Sequence, residues 1–451
     1  MAVIAPFRAV RYNLEQISSI ENVLSPPYDI IDAQTQAALF TKNPYNMIRL
    51  DLSKNVKAAG MIAERYAGAA ELFARWQNDG ILLREKQPAL YLYDIDYLRP
   101  GQATTITRRG LLARVQLAEF AEGIVKPHEK TFSGVTSDRL QLLAACQAQF
   151  SPIFSIYSDP QAEVMRLLEQ ARSAGPLYST IDYDGCEHRL WAMSDTTALA
   201  AVQAYFRDKA LYIADGHHRY STALQYQALV REREGGRLPP KSSANYTMMY
   251  LCAMEDPGLS VLPTHRLLRL PGHKTVADLL PGLEQYFVVE EVVAGSRESL
   301  LIETFGKMTE GGDGNQNTRF GFYHPGEDRS FLLTLKDGMM DREAAHRPTA
   351  LRDLDVVVLS DLIIDRLPNL DQTRCVQGDL IDYFSDPDEA LDVAVKEALR
   401  ATAYTPLLFL MNATLVEQVR RVADENLVMP HKSTFFYPKI LTGLAINPLV
   451  D

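Results

Sequence analysis

The densest chemistry in the chain lies at Asp215-Gly216-His217-His218-Arg219, inside the segment IADGHHRYSTAL. Upstream, KALYIA is a short apolar run of strand character. Downstream, Tyr220, Ala223, Leu224, Gln227 and Ala228 recur at helical spacing before Gly235-Gly236. The pattern places Asp215-Gly216 where a buried strand hands over to an amphipathic helix. Such a turn offers unpaired backbone N–H groups and the positive end of a helix dipole. Gly216 lets the chain turn sharply and a ligand approach the backbone. Arg219 adds a fork of donors suited to phosphate, and His217 and His218 can donate from a ring nitrogen. The plainer alternative is that Asp215 caps the helix and the histidines only decorate its start. Two histidines and an arginine directly after a buried strand favour the phosphate.

Five other stretches concentrate functional groups. KPHEKT carries His128, Glu129 and Lys130 after Pro127. As chemistry, Glu129 is a general base or metal-binding carboxylate, His128 a proton shuttle and Lys130 a charge neutraliser; as structure, the stretch is a solvated loop. It lacks the second histidine of a zinc-binding HExxH. PTHRLL sets His265 and Arg266 in an extended segment, where they line the same pocket or close a domain. The double proline of SPPYDII delivers Asp29, and NPYNMIRLD alternates Arg49 and Asp51 with Ile48 and Leu50 as in a strand. Asp29 and Arg49 matter if the fold brings them beside Arg219. Near the end, KSTFFYPK carries Lys432, Ser433, Thr434, Tyr437 and Lys439. No P-loop glycines precede Lys432, so this stretch either holds a nucleotide's phosphates and base or lies over the core as structure.

The elements that must position these groups read as mixed α/β material. Helices are expected over Asp32–Thr41 and Lys57–Asp79, and a hairpin over Ala89–Leu98 and Thr104–Leu117, turning at Arg99-Pro100-Gly101. A helix opens at Asp138-Arg139, and a buried strand spans Asn245–Met254. LRDLDVVVLSDLIIDRL reads as one amphipathic helix from Leu351 to Leu367, and GGDGNQN as a mobile connection. The pattern divides the chain into a core at 1–270, an appended α/β unit at 271–350 and a C-terminal α/β segment at 351–451 that packs back on the core.

Composition narrows the function. A net charge of −11 argues against nonspecific nucleic-acid binding. Four widely spaced cysteines suggest reduced thiols, and no apolar run approaches a membrane span or signal peptide. The expectation is a cytoplasmic protein with neither nucleic-acid nor membrane partner, of open oligomeric state.

With SPPYDII, NPYNMIRL, KPHEKTF, ADGHHRYSTAL, PTHRLL and MPHKSTFFYPK in this order, the chain resembles a bacterial and archaeal family described only as a domain of unknown function. The resemblance covers nearly the whole length and brings no reaction with it. The DGHHR segment is also similar to the phosphate-binding segment of the ParB/sulfiredoxin superfamily, which includes nucleotide-dependent free serine kinases. That similarity implies a ParB/sulfiredoxin-like α/β core and gives Gly216, His217, His218 and Arg219 the phosphate. The sulfiredoxin branch needs a cysteine that this loop lacks, and the DNA-clamp branch a helix-turn-helix that is not evident.

The first functional expectation is therefore a nucleotide-dependent phosphotransferase acting on a small-metabolite hydroxyl, with free serine a candidate acceptor. ATP or ADP with Mg²⁺ would be the cofactor, Asp215 or Glu129 would accept the hydroxyl proton, and His217 and His218 would stabilise the transferred charge. Phosphoester hydrolysis at the same site and a non-catalytic nucleotide or metabolite sensor are the alternatives. A metal hydrolase built on His128, Glu129, His217 and His218 ranks last, and the identity of any metal stays open.

Overall fold

In a computed structural model, strand pairing gathers the chain into two compact units, Met1–Ser260 with Pro438–Asp451, and Val261–Tyr437. All residues are described except 54–61, 101, 130–132, 310–317, 368–373, 376–377, 379, 401–402 and 451. Lys130, the GGDGNQN tract, Gly101 of the hairpin turn and the start of the helix expected from Lys57 lie outside the described residues.

The first unit is built on a nine-stranded mixed sheet. The expected hairpin, Leu90–Leu98 with Thr105–Gln116, runs antiparallel through its middle. Tyr246–Ala253 pairs with the second arm of the hairpin, and Ile153–Tyr157 lies parallel to it. Leu211–Asp215 comes next, antiparallel, and Val125–Lys126 closes this edge in parallel with it. Strand alternation sends Leu92, Leu111, Ile153, Ile213 and Leu251 to one face, where Val202 and Phe206 of the helix Thr196–Phe206 cover them. Tyr220 and Ala223, on the helix His217–Arg233, join the same core. Burial of each such side chain contributes on the order of 1.5–3 kcal/mol, enough to hold that helix against the sheet.

The second unit has a six-stranded sheet. Its hairpin, Arg319–His324 with Arg329–Leu335, is joined through Tyr404–Leu410 to His265–Pro271. This pairing is why the chain divides in two and not at 270 and 350. The strands on either side of residue 350 complete one sheet, and only Pro438–Asp451 of the C-terminal stretch belongs with the first unit.

The mixed α/β class expected from the pattern is the class the chain adopts. Two local expectations fail. NPYNMIRLD is not a strand, because Ile48–Asp51 forms a helical turn. Fully buried Asn46 accepts the Ile48 N–H through Oδ1 at 3.0 Å and donates to the carbonyls of Asn22 and Leu24 at 2.8 and 3.0 Å, so this local bonding overrides the alternation. The helix expected over Leu351–Leu367 is broken into Thr349–Arg352 and Asp355–Leu362. Asp353 is drawn to Arg421 at 2.9 Å and Asp355 to Thr318 and Asn412, which leaves Leu354 extended between them. The helix expected from Asp138 begins earlier, at Ser133, so Asp138 and Arg139 lie inside it.

Candidate functional site

The turn after Leu211–Asp215 is built as its residue types demand. The register shifts between Ile213 and Asp215, a bulge that re-aims the strand end. Gly216 then takes φ 92°, left-handed, as the residue before the helix His217–Arg233. A Cβ there would lie 2.8 Å from Arg219 Nε, so the absent side chain is what lets Arg219 fold back over the turn. Asp215 does not cap the helix. Its Oδ2 meets Arg219 Nη2 at 3.4 Å and Lys439 Nζ at 3.5 Å, while Arg219 Nη1 donates to the Pro152 carbonyl. Burial lowers the Arg219 pKa, but Asp215, Asp29, Tyr28 and Asp51 outweigh it and the net shift is upward.

His217 turns inward instead of toward a ligand. Because Val125–Lys126 runs parallel to Leu211–Asp215, the KPHE and DGHHR loops leave the sheet side by side. The His128 N–H donates to His217 Nε2 at 3.2 Å, and the two rings meet edge to face with centroids 4.6 Å apart. That bond occupies the His217 lone pair, so the ring is a neutral Nδ1–H tautomer. Burial holds His217 well below its ordinary value and His128 at about 4. Stabilising transferred charge is therefore not a role for His217. His218 is half-buried at the same turn, and Glu129 is half-buried beside His128.

Behind Arg219 lies a cavity of about 60 Å³ whose polar walls include Tyr28, Asp51, Arg139, Arg219 and Thr222. Arg139 bonds Asp51 Oδ1 at 2.9 Å and Asp138 Oδ2 at 2.6 Å, and its guanidinium lies 4.5 Å over the Tyr28 ring. Asp138 in turn takes Tyr66 at 2.5 Å and Arg65 at 2.7 Å. Three buried polar atoms of the cavity wall, Arg219 Nε, Asp51 Oδ2 and Thr222 Oγ1, have no hydrogen-bond partner. Buried polar groups are normally paired, so these three atoms mark where a polar guest, water included, would bond. Burial raises the Asp51 carboxyl, against the pull of Arg139 and Arg219.

Of the other expected residues, exposed Asp29 is within electrostatic reach of Arg219. Arg49 is not part of this cluster: its Nη2 donates to the Phe40 carbonyl at 2.6 Å, closing the end of the helix Ala33–Lys42. KSTFFYPK does not act as one stretch. Lys439 belongs to the first unit, whereas Lys432, Ser433, Thr434 and Tyr437 belong to the second. There the Ser433 hydroxyl donates to the Pro430 carbonyl at 2.6 Å, a local turn, and the Lys432 carbonyl takes Arg266 Nη2 at 3.3 Å, a structural tie within the second unit. His265 and Arg266 are buried in that second unit. Sequence reasoning passed over Tyr28, Asp51, Asp138, Arg139 and Thr222. The available signal was Asp51 in the NPYNMIRLD motif and the adjacent Asp138-Arg139 pair, each charged among apolar neighbours.

Among the described residues, no group of three or more His, Cys, Asp or Glu side chains could hold a metal ion. The four-residue metal centre of the hydrolase reading is thus not assembled, since His217 spends its Nε2 on an amide. All four cysteines are buried, and none of them is in a disulfide bond. No helix among the described residues is long and apolar enough to cross a membrane.

Among solved structures, the chain is similar to a free serine kinase in complex with AMP at 12% identity, covering 74% of this chain and 92% of that one, TM-score 0.34. A conserved hypothetical protein from Pyrococcus furiosus is 12% identical over 74% and 95%, TM-score 0.32. SbnI from Staphylococcus aureus, with a C-terminal truncation, is 8% identical over 75% and 87%, TM-score 0.34. At such scores these likenesses assign neither a fold nor a function. No curated protein matches the sequence. The model of the family described as "Protein of unknown function (DUF1015)" matches residues 4–357, more than three quarters of the sequence, and the chain belongs to that family.

Proposed function

We propose that the first unit is a nucleotide-dependent phosphotransferase acting on the hydroxyl of a small metabolite, with free serine as the first acceptor to test. The observation that carries this reading is the Asp215-Gly216 turn. It aims a helix N-terminus and the half-buried Arg219 at one place, with a polar cavity behind the arginine. Phosphoryl transfer asks for positioning and charge, and this turn offers both. The resemblance of DGHHR to the phosphate segment of the ParB/sulfiredoxin superfamily agrees with it.

In the proposed step, the acceptor oxygen bonds to the terminal phosphorus. The bond from that phosphorus to the bridging oxygen breaks, and the bridging oxygen leaves with the shortened nucleotide. Asp215 orients the hydroxyl and takes its proton, with Glu129 as the second candidate base. Arg219 and the first-turn amides hold the transferred phosphoryl oxygens. Lys439, through Asp215, fixes the carboxylate. Around Arg219 four cations (Arg65, Arg139, Arg219, Lys439) meet four carboxylates (Asp29, Asp51, Asp138, Asp215), so the cluster is near neutrality. A polyphosphate would therefore need to bring a Mg²⁺ ion, which binds proteins through one or two carboxylates and otherwise through phosphate and water. Exposed Asp29 is the available carboxylate.

Phosphorus NMR on the protein with Mg²⁺ and ATP or ADP, with and without serine, tests the reading. A serine-dependent phosphomonoester resonance is expected. An unchanged nucleotide spectrum, together with no nucleotide shift of the melting midpoint, would remove it.

A further inference from the structure

Lys439, which reaches Asp215, is also in the wall of a second cavity of about 100 Å³. Its charged walls are Glu21, Asp182 and Asp184 against Lys42 and Lys439. Both lysines are engaged: Lys42 Nζ donates to the Glu21 carbonyl at 2.9 Å and lies 4.3 Å over the Tyr183 ring, and Lys439 is held by Asp215. That leaves the acidic side of the cavity, Asp184 above all, to meet a guest.

Asp182 is fixed from behind. Its Oδ2 bonds buried His188 Nε2 at 2.8 Å, and His188 Nδ1 bonds the Tyr93 hydroxyl at 2.7 Å. Its Oδ1 takes the amides of Asp184 and Cys186, each at 2.9 Å, which ties the whole turn to the sheet. Asp184 is left exposed on that rigid turn. Partial desolvation, with Asp182 nearby, raises the Asp184 carboxyl, and a cation placed against it would counter that shift. Two buried hydroxyls of the same wall, Ser25 Oγ and Thr180 Oγ1, have no partner. Tyr183, 61% exposed with Lys42 over its ring, lines the same cavity.

We infer that this cavity is the acceptor subsite, and that it takes a small hydroxyl compound bearing a primary ammonium group, recognised by Asp184 with Asp182 behind it and Tyr183 beside it. The word acceptor rests on the phosphotransfer reading above; the ammonium chemistry rests on this cavity alone. The acceptor hydroxyl would then be handed to Asp215 past Lys439, the residue the two places share.

Saturation-transfer NMR with ethanolamine, and with ethylene glycol as the same-sized diol without the amine, tests this on the full chain. Ethanolamine is expected to bind at least tenfold more tightly than the diol. Asp184→Asn, an exposed substitution that should leave the fold intact, is expected to abolish that preference while MgADP binding persists. Equal binding of the two compounds, binding of neither, or a preference untouched by Asp184→Asn would overturn the inference. Retained ethanolamine preference with no MgADP binding to the unaltered protein would overturn the acceptor role and the phosphotransfer reading, and leave an ammonium site.

Discussion

His217 in the first unit and His265 in the second do the same thing. Each is a buried ring that accepts a backbone N–H, from His128 at 3.2 Å and from Met411 at 3.0 Å. Both are kept neutral chiefly by burial, His265 at about 4. The arginines that follow them differ. Arg219 is surrounded by Asp215, Asp29 and Asp51, and these outweigh burial to hold its pKa above the ordinary value. Arg266 donates to the carbonyls of Thr264 and Lys432 and lies over the Tyr383 ring, and burial pulls it down to about 10. One arginine closes a turn. The other stands between carboxylates at the wall of a polar cavity, with Nε unsatisfied. Burial alone marks neither as functional; the distinction lies in what surrounds the charge.

The sharpest way to break this comparison is to replace each arginine by methionine. Arg219→Met is expected to lower phosphoryl transfer about 10²–10³-fold, the usual effect of removing one donor to developing charge. Arg266→Met is expected to leave transfer unchanged. It should alter stability by no more than about 1–2 kcal/mol, because relief of a buried charge offsets two lost bonds to carbonyls. Single-turnover rates and denaturant unfolding read the two effects.

Gly216→Ala comes next in size. It forces a side chain into left-handed backbone and against Arg219, so about 1–3 kcal/mol of stability is lost and transfer falls with it. Asp51→Asn should cost about 1–3 kcal/mol by weakening its bond to Arg139, read by the midpoint of urea unfolding.

The histidines sharpen the likeness instead of the difference. With native values near 4 for His128 and His265, against about 6.5 unfolded, the unfolded chain binds more protons between those limits. Stability is therefore full above about pH 6.5 and falls as pH drops toward 4, in both units. His265→Gln should flatten part of that slope in melts run across this window, without affecting transfer.

Much of the site's central turn was legible. A buried strand, an aspartate, a glycine and an amphipathic helix agree at every local level, and the strand–turn–helix stands where the pattern puts it. What could not be read was direction. Whether His217 faces a ligand or the core depends on Val125–Lys126 pairing in parallel with Leu211–Asp215, a contact between residues far apart in the chain. Arg139 and Asp51 were hidden for the same reason, being ordinary charged residues until helices bring them together. The strand expected at Ile48–Asp51 failed to a single side chain, Asn46, whose local bonds outcompete alternation. The division of the chain failed because sheet partners in the second unit are more than a hundred residues apart, as with Arg266 and Phe409.

The most direct test of the central claim is a calorimetric titration of MgADP into the unaltered protein, Arg219→Met and Arg266→Met. The unaltered protein and Arg266→Met are expected to bind alike, and Arg219→Met far more weakly. MgADP binding undiminished in Arg219→Met would contradict that claim.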